Sequence, residues 1–273
     1  MPPPHTHLED FSEDIIAKAQ SGLQITNREL ADRGSVDLGT IKALKNGDFD
    51  EKALASIAKV LNLDPDRLIV SAAKNWMPSE KIIPSLHCFI SQFKSMTVNA
   101  YLYTASDGRS VLFDTGVDPD PILTFLRERD YSLEAIVLTH GHPDHVVALK
   151  PILEVWPDRP VFAHPAENVN GSRTLEWNSS IRIGPLSLRC LSTPGHTPGG
   201  TSFLIEGVDP SLCIVGDALF AGSVGGCAAD YDHSLHSIRE NLLTLPGDTI
   251  LCPGHGPLTS VAEECQHNPF FPT

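Results

Sequence analysis

The sequence predicts an α+β protein: a small all-α segment, then a larger part in which β-sheets carry helices on their outer faces. Residues 11–75 read as a succession of short helices, with apolar residues at helical spacing between capping and turn signals. From about residue 82 the pattern changes to apolar or alternating runs of strand length, with a few helical stretches between them. Four of those runs deliver a histidine or an aspartate just beyond their ends, which makes the β-rich part the place to look for chemistry. The expected division is a disordered tail over 1–10, an all-α unit over 11–75 and a catalytic unit over 76–273.

In the all-α unit Thr26 and Glu29 form a capping box, the threonine oxygen and the glutamate carboxylate each satisfying an amide that has no helical partner. Gly34 ends that helix, and Ser35 precedes the next, closed by Asn46 and Gly47. Residues 51–61 repeat apolar side chains at helical spacing, and Asp64 with Pro65 caps one more helix carrying Leu68 and Ile69, so five helices are expected. Residues 73–81, around Trp76 and Pro78, form the linker. Beyond it 82–92, 97–105 and 110–113 read as strands, with 106–109 as a hairpin turn, and 118–131 reads as a helix. The strand 135–139 and a helix toward Val155 follow, then strands at 161–164, 181–191 (turning at Gly184 and Pro185), 201–206 and 211–215. Residues 233–245 are expected to be helical and 249–251 to be the last strand.

Across 273 residues there are 34 acidic and 20 basic side chains, a formal net charge of −14. That balance argues against general affinity for phosphate backbones or anionic membrane surfaces. No apolar stretch approaches the roughly 20 residues of a membrane-spanning helix. The opening residues have neither the basic start nor the apolar segment of a secretory signal, so cytoplasmic residence is expected. Six cysteines, at 88, 190, 213, 227, 252 and 265, show no C-x-x-C pair and no framework spacing, which fits reduced thiols. Cys227 stands apart from the others in a glycine-rich segment.

The densest chemistry follows the strand at 135–139: His140, His142, Asp144 and His145 fall within six positions. Pro143 suits the first position of a helix because it has no amide hydrogen to lose. His140 and His142 are then expected on a loop, with Asp144 and His145 in the first helical turn, able to point back at the same spot. Neutral imidazole and carboxylate at one point suit zinc, iron or manganese. Three further segments each follow a β-run and present one donor: the tight loop 193–200 with His196, residues 214–222 with Asp217, and 251–257 with His255.

These segments together, from about residue 80 onward, resemble the metallo-β-lactamase fold and within it glyoxalase II (hydroxyacylglutathione hydrolase) and its small bacterial relatives. The resemblance implies an αββα sandwich. It assigns His140, His142 and His196 to one metal, Asp144, His145 and His255 to a second, and Asp217 to both. It implies two divalent ions, zinc first, with iron or manganese as alternatives. It also implies a metal-bridging hydroxide that attacks a thioester or ester carbonyl, with Asp144 helping to handle the proton. Such a site keeps a net positive charge, which stabilises hydroxide and attracts a small anionic substrate. Asp114 resembles the family's buried aspartate and is expected to orient a ligating histidine; a plain turn aspartate is the alternative. A second reading is a mononuclear iron enzyme similar to persulfide dioxygenases, using His140, His196 and Asp217.

Residues 11–75 resemble the phage-repressor helix-turn-helix domain, with 29–34 as the first motif helix and turn and 36–47 as the recognition helix. This implies a third reading, a ligand- or metal-sensing regulator that binds DNA. Residues 1–75 carry 12 acidic and 9 basic side chains, a net of −3, so a docking or dimerisation unit, for example in a homodimer, is expected ahead of a DNA reader. Where close glyoxalase II relatives tend to have an arginine this chain has Gly225, Gly226 and Cys227, and only 18 residues follow His255. Both departures leave glutathione specificity open. His87 is expected in the core, while His164, His233 and His236 are weaker candidates for the cleft.

Overall fold

The structure, a computed structural model, describes residues 7–184, 186–227 and 230–272. Residues 1–6 of the expected tail and Pro185 of the expected turn lie outside them. The inner end of that tail is ordered by burial: Leu8 and Asp10 are buried, and Asp10 pairs with Lys18.

Five helices come first, α1 (Ser12–Gly22), α2 (Asn27–Gly34), α3 (Leu38–Leu44), α4 (Glu51–Val60) and α5 (Pro65–Ala72). Their starts are the ones the side chains favour. Thr26 and Glu29 exchange the capping-box bonds of α2, and Asp37, Asp50 and Asp64 each accept a backbone amide at the start of α3, α4 and α5. The left-handed residue after α2 is Ser35, at φ 53°, not Gly34.

A first sheet follows, from β1 (Leu86–Phe93), β2 (Met96–Thr104), β3 (Arg109–Phe113), helix α6 (Asp120–Glu128), β4 (Ser132–Val137), helices α7 (Pro143–Val146) and α8 (Leu149–Val155), β5 (Val161–Ala163) and β6 (Arg173–Thr174). These six strands lie in sequence order, antiparallel from β1 to β3 and parallel from β3 to β6. The second sheet takes β7 (Ser180–Ile183), β8 (Leu186–Ser192), β9 (Thr201–Glu206) and β10 (Leu212–Gly216). A small hairpin, β11 (Leu219–Phe220) and β12 (Ser223–Val224), leads to α9 (Tyr231–Asn241), β13 (Ile250–Pro253), β14 (Thr259–Ser260) and α10 (Val261–His267). In space the second sheet runs β14-β13-β10-β9-β8-β7, with β10 and β13 parallel.

Alternation along the strands builds four layers. Val111 and Phe113 of β3 face Phe203, Ile205 and Ile214 of the second sheet in the central core, while Leu112 between them turns outward onto Ile122 and Leu126 of α6. The outer face of the second sheet, with Leu191, Cys213, Val215 and Leu251, packs against Ile238 of α9 and Leu242 just after it. The same apolar cluster contains Ile15, Leu30, Ile41, Leu54, Ile57 and Leu68 from α1 to α5. The boundary expected near residue 75 thus separates two stretches of chain but not two cores. Polar ties reinforce the seam: Lys18 Nζ donates to the carbonyl of Val224 at 2.9 Å, and the Arg67 guanidinium donates to those of Asn268 and Phe271 at 3.0 and 2.8 Å. Among the described residues no helix is long and apolar enough to cross a membrane.

Candidate metal centre

Parallel pairing sets where the candidate donors lie, because parallel neighbours end on the same side of a sheet. β3 runs into Asp114 and β4, through Leu138 and Thr139, into His140. In the other sheet β10 runs into Asp217 and β13 into His255. The loop between β8 and β9 adds His196 from the same sheet. His142 occupies the extended position just before α7, with Pro143 first in the helix, so Asp144 and His145 turn back as the spacing suggested.

Four of the five imidazoles are oriented by a partner at the outer nitrogen. The Thr139 hydroxyl donates to Asp114 Oδ2 at 2.7 Å, so toward His140 Nδ1, 3.0 Å away, it acts as acceptor. His145 Nδ1 donates to the same Asp114 oxygen at 2.9 Å, and the amide of Thr139 donates to Oδ1 at 2.8 Å. His196 Nδ1 donates to the carbonyl of Gly226 at 3.1 Å and His255 Nδ1 to that of Thr97 at 2.5 Å. In all four rings the outer nitrogen is thus engaged and Nε2 faces inward. His142 places Nδ1 2.9 Å from His196 Nε2, so these two ring nitrogens converge. Asp114 performs this orienting from a left-handed backbone, φ 55°, with its side chain 3% exposed.

The carboxylate of Asp217 stands in the middle. Its oxygens lie 3.3 Å from His145 Nε2, 3.4 Å from His196 Nε2, 3.3 Å from His255 Nε2 and 3.9 Å from His140 Nε2. Asp144 Oδ2 lies 3.4 Å from His255 Nε2 and 3.8 Å from His145 Nε2. Two of the tight donor groups are those expected, His140 with His142 and His196, and Asp144 with His145 and His255; each has its ligand atoms within 4.8 Å of one another. A third group, Asp114 with His140 and His145, meets the same limit, although the Asp114 carboxylate already accepts from three donors.

Two observations test whether a cation fits. His140 Nε2, His145 Nε2 and Asp217 Oδ1 are buried with no hydrogen-bond partner of acceptable geometry among the described residues, a costly arrangement unless something else satisfies them. Gly254 keeps the space open, for a Cβ there would come within 2.1 Å of Asp217 Oδ1 and 2.6 Å of His145 Cε1. The charges agree. Burial pushes His140 well below the usual imidazole range and also lowers His196, leaving neutral rings suited to ligation. Burial would lower His145 and His255 too, but the carboxylates beside them carry these rings up to about 10 and about 11, so this half of the centre already favours positive charge. Asp217 is held far below the carboxylate range: burial raises it, and His145 and His255 together overcome that.

Several supporting residues escaped the sequence reading. Asn99 Nδ2, from β2, donates to the carbonyls of Pro253 and Gly256 at 3.0 and 2.9 Å, and Tyr101 joins it on Pro253 at 2.7 Å, strapping the His255 loop to the opposite sheet. An asparagine inside an otherwise apolar strand was the available signal. The orienting threonine, Thr139, ends the expected strand that leads into His140, and its residue type alone marks no role there. The other histidines lie apart: His87 packs on Phe125 with ring centroids 4.4 Å apart, His164 stacks on Trp177 at 4.2 Å, and His233 and His236 are exposed on α9. Cys227 is buried and joins none of the donor groups found among the described residues.

Residues 95–188 match the model of the metallo-beta-lactamase superfamily. Over 197 residues, 63% of this chain and 92% of the relative, the sequence is 37% identical to the probable metallo-hydrolase YqgX of Bacillus subtilis (strain 168). The chain belongs to the metallo-beta-lactamase superfamily. It is also 28% identical over 197 residues to the hydroxyacylglutathione hydrolase GloC of Haemophilus influenzae, covering 63% of this chain and 92% of that one. A solved structure, TTHA1623 in a di-iron-bound form, superposes with a TM-score of 0.54 at 31% identity, covering 67% of this chain and 99% of that chain. This superfamily member thus has glyoxalase II-like relatives and a metallo-hydrolase fold, and its His/Asp clusters lie where the strand ends of the two sheets meet.

Proposed function

We propose that the protein is a metal-dependent hydrolase of a small anionic thioester or ester. His140, His142 and His196 would hold one divalent ion, Asp144, His145 and His255 a second, and Asp217 would serve both. The observation that carries this reading is the convergence of inward-facing imidazole nitrogens on the buried Asp217 carboxylate, with no other partner for three of the buried atoms. Imidazole and carboxylate without thiolate suit zinc, iron or manganese, and a related protein known in a di-iron-bound form supports two ions. Ions held there supply a nucleophile at neutral pH, because ligation lowers the pKa of water from about 15.7 to about 7.

The chain's own groups do the rest. Asp114 and Thr139 lock His140 and His145 in the tautomers that face inward, so little reorganisation accompanies the reaction. Asp144, beside His255, keeps its carboxylate ionised: burial raises its pKa, and His255 and His145 outweigh that. An ionised Asp144 at the edge of the centre can accept and return a proton as the thiolate or alkoxide departs. A thioester and ester panel run on zinc-, iron- and manganese-loaded protein tests the reading. Turnover of at least one thioester is expected, with a loss of about a thousandfold or more in His140→Ala and Asp217→Ala and retention of fold by circular dichroism. Oxygen consumption with one iron per chain and no hydrolysis would favour the mononuclear oxygenase instead.

We further propose that α1 to α5, despite their helix-turn-helix-like order, wall the catalytic unit and do not read DNA. Aspartates cap α3, α4 and α5, placing negative charge where a docked helix offers its amides to phosphate. No retention of the protein on duplex DNA is expected at either 50 or 200 mM salt, and retention that weakens steeply with salt would restore the regulator reading.

A further inference from the structure

Glu167 ends a single 3-10 turn, Pro165–Glu167, after β5, and belongs to none of the donor groups. Its carboxylate is shared between two loops. Oε2 accepts from the amide of Gly141 at 2.7 Å, and Oε1 accepts from the amide of Gly199 at 2.6 Å. Gly141 stands between His140 and His142, while Gly199 follows His196 in the turn that enters β9. The first loop grows from one sheet and the second from the other, so a side chain from a third loop joins the backbone segments whose imidazoles must meet. His142 Nδ1 and His196 Nε2 are the atoms that do meet, 2.9 Å apart.

The clamp is itself held in place. His164 accepts from the amide of Ala166 at the start of the turn, and its ring stacks on Trp177 at 4.2 Å with an interplanar angle of 11°. Trp177 Nε1 donates to the hydroxyl of Thr201, the first residue of β9, at 3.0 Å. The Gly199 backbone packs closely against the pair: a Cβ there would come within 2.7 Å of both Glu167 Oε1 and His164 Nδ1. Bonds from amides to an ionised carboxylate are roughly twice as strong as neutral ones, and here both oxygens are engaged by donors from different segments. Aspartate would be one methylene too short to span them. Glutamine would keep one acceptor and aim its NH2 group at the second amide.

We propose that Glu167 is a positioning residue that sets the separation of the His140–His142 loop from the His196 loop, and through it the affinity of the three-histidine cluster for a divalent cation. This rests on the metal centre proposed above. The test is titration of the full chain with zinc and with cobalt(II), for the wild type, Glu167→Gln and Glu167→Asp, alongside thermal melts in chelator. Both variants should bind cation about 10- to 100-fold more weakly at this cluster and shift the visible cobalt band, with metal-free melting close to that of the wild type. Wild-type affinity and an unshifted cobalt band in both variants would overturn the proposal. A variant too unstable to purify would leave the other to decide, since aspartate preserves the charge and glutamine the length. If the wild type itself bound neither zinc nor cobalt, the metal-centre reading would fall first, so the two failures are distinguishable.

Discussion

Glu264 shows how far a single residue can depend on contacts that no motif announces. It is fully buried on α10, accepting from the amide of Gly222 at 3.1 Å, the hydroxyl of Thr259 at 2.7 Å and Asn268 Nδ2 at 2.8 Å. Burial lifts its pKa from 4.5 to about 7 in spite of those bonds. Because the folded-state value is the higher one, the folded chain binds the proton more tightly than the unfolded chain. The associated stability is present below about pH 4.5 and is lost as pH rises through about 7, a change of about 3 kcal/mol in all. Urea unfolding from pH 5 to pH 8 should therefore show a decline in the wild type that Glu264→Gln lacks. A wild type no steeper than the variant would contradict the assignment. The histidines and aspartates of the centre were legible in the sequence because reactive residue types crowd into short motifs after β-runs. Thr139, Asn99 and Glu167 were not, since each acts across the fold on a residue remote in sequence or through a tautomer that only geometry reveals.

At the scale of elements, the legible features were those with local causes. The capping box of α2 and the Asp64 cap of α5 sit where side-chain chemistry placed them, and 201–206 is a strand from end to end. Residues 181–191, expected to turn at Gly184 and Pro185, form the hairpin of β7 and β8 with Gly184 at its turn. The short strands β6, β11, β12 and β14 span two residues each, too few to show any period. Helix α10 went unread although Ser260 and Glu263 carry its capping signal. What no element could disclose alone is that α1 to α5 share a core with the second sheet. Leu54, fully buried on α4, tests that sharing. Leu54→Ala should cost about 2–5 kcal/mol and lower one transition that carries the whole chain. Two transitions, with the catalytic part melting as in the wild type, would show the helices to be an independent unit.

Over the whole molecule, the candidate donors come from opposite sheets: Asp114, His140, His142, Asp144 and His145 from the first, His196, Asp217 and His255 from the second. The central core between the sheets, Tyr101 and Phe113 against Phe203 and Ile214, is what brings both groups of strand ends to one place. The family resemblance implied such a sandwich, but convergence depends on sheet packing, which spacing along the chain does not encode. A chain of net charge −14 that buries two carboxylates among five imidazoles has a reason to do so if cations occupy the space between them. Metal quantification on protein purified without chelator addresses that most directly. Two divalent ions per chain are predicted, falling to one or none in Asp217→Ala. A wild type that holds no ion, even after incubation with excess zinc, iron or manganese, would contradict it.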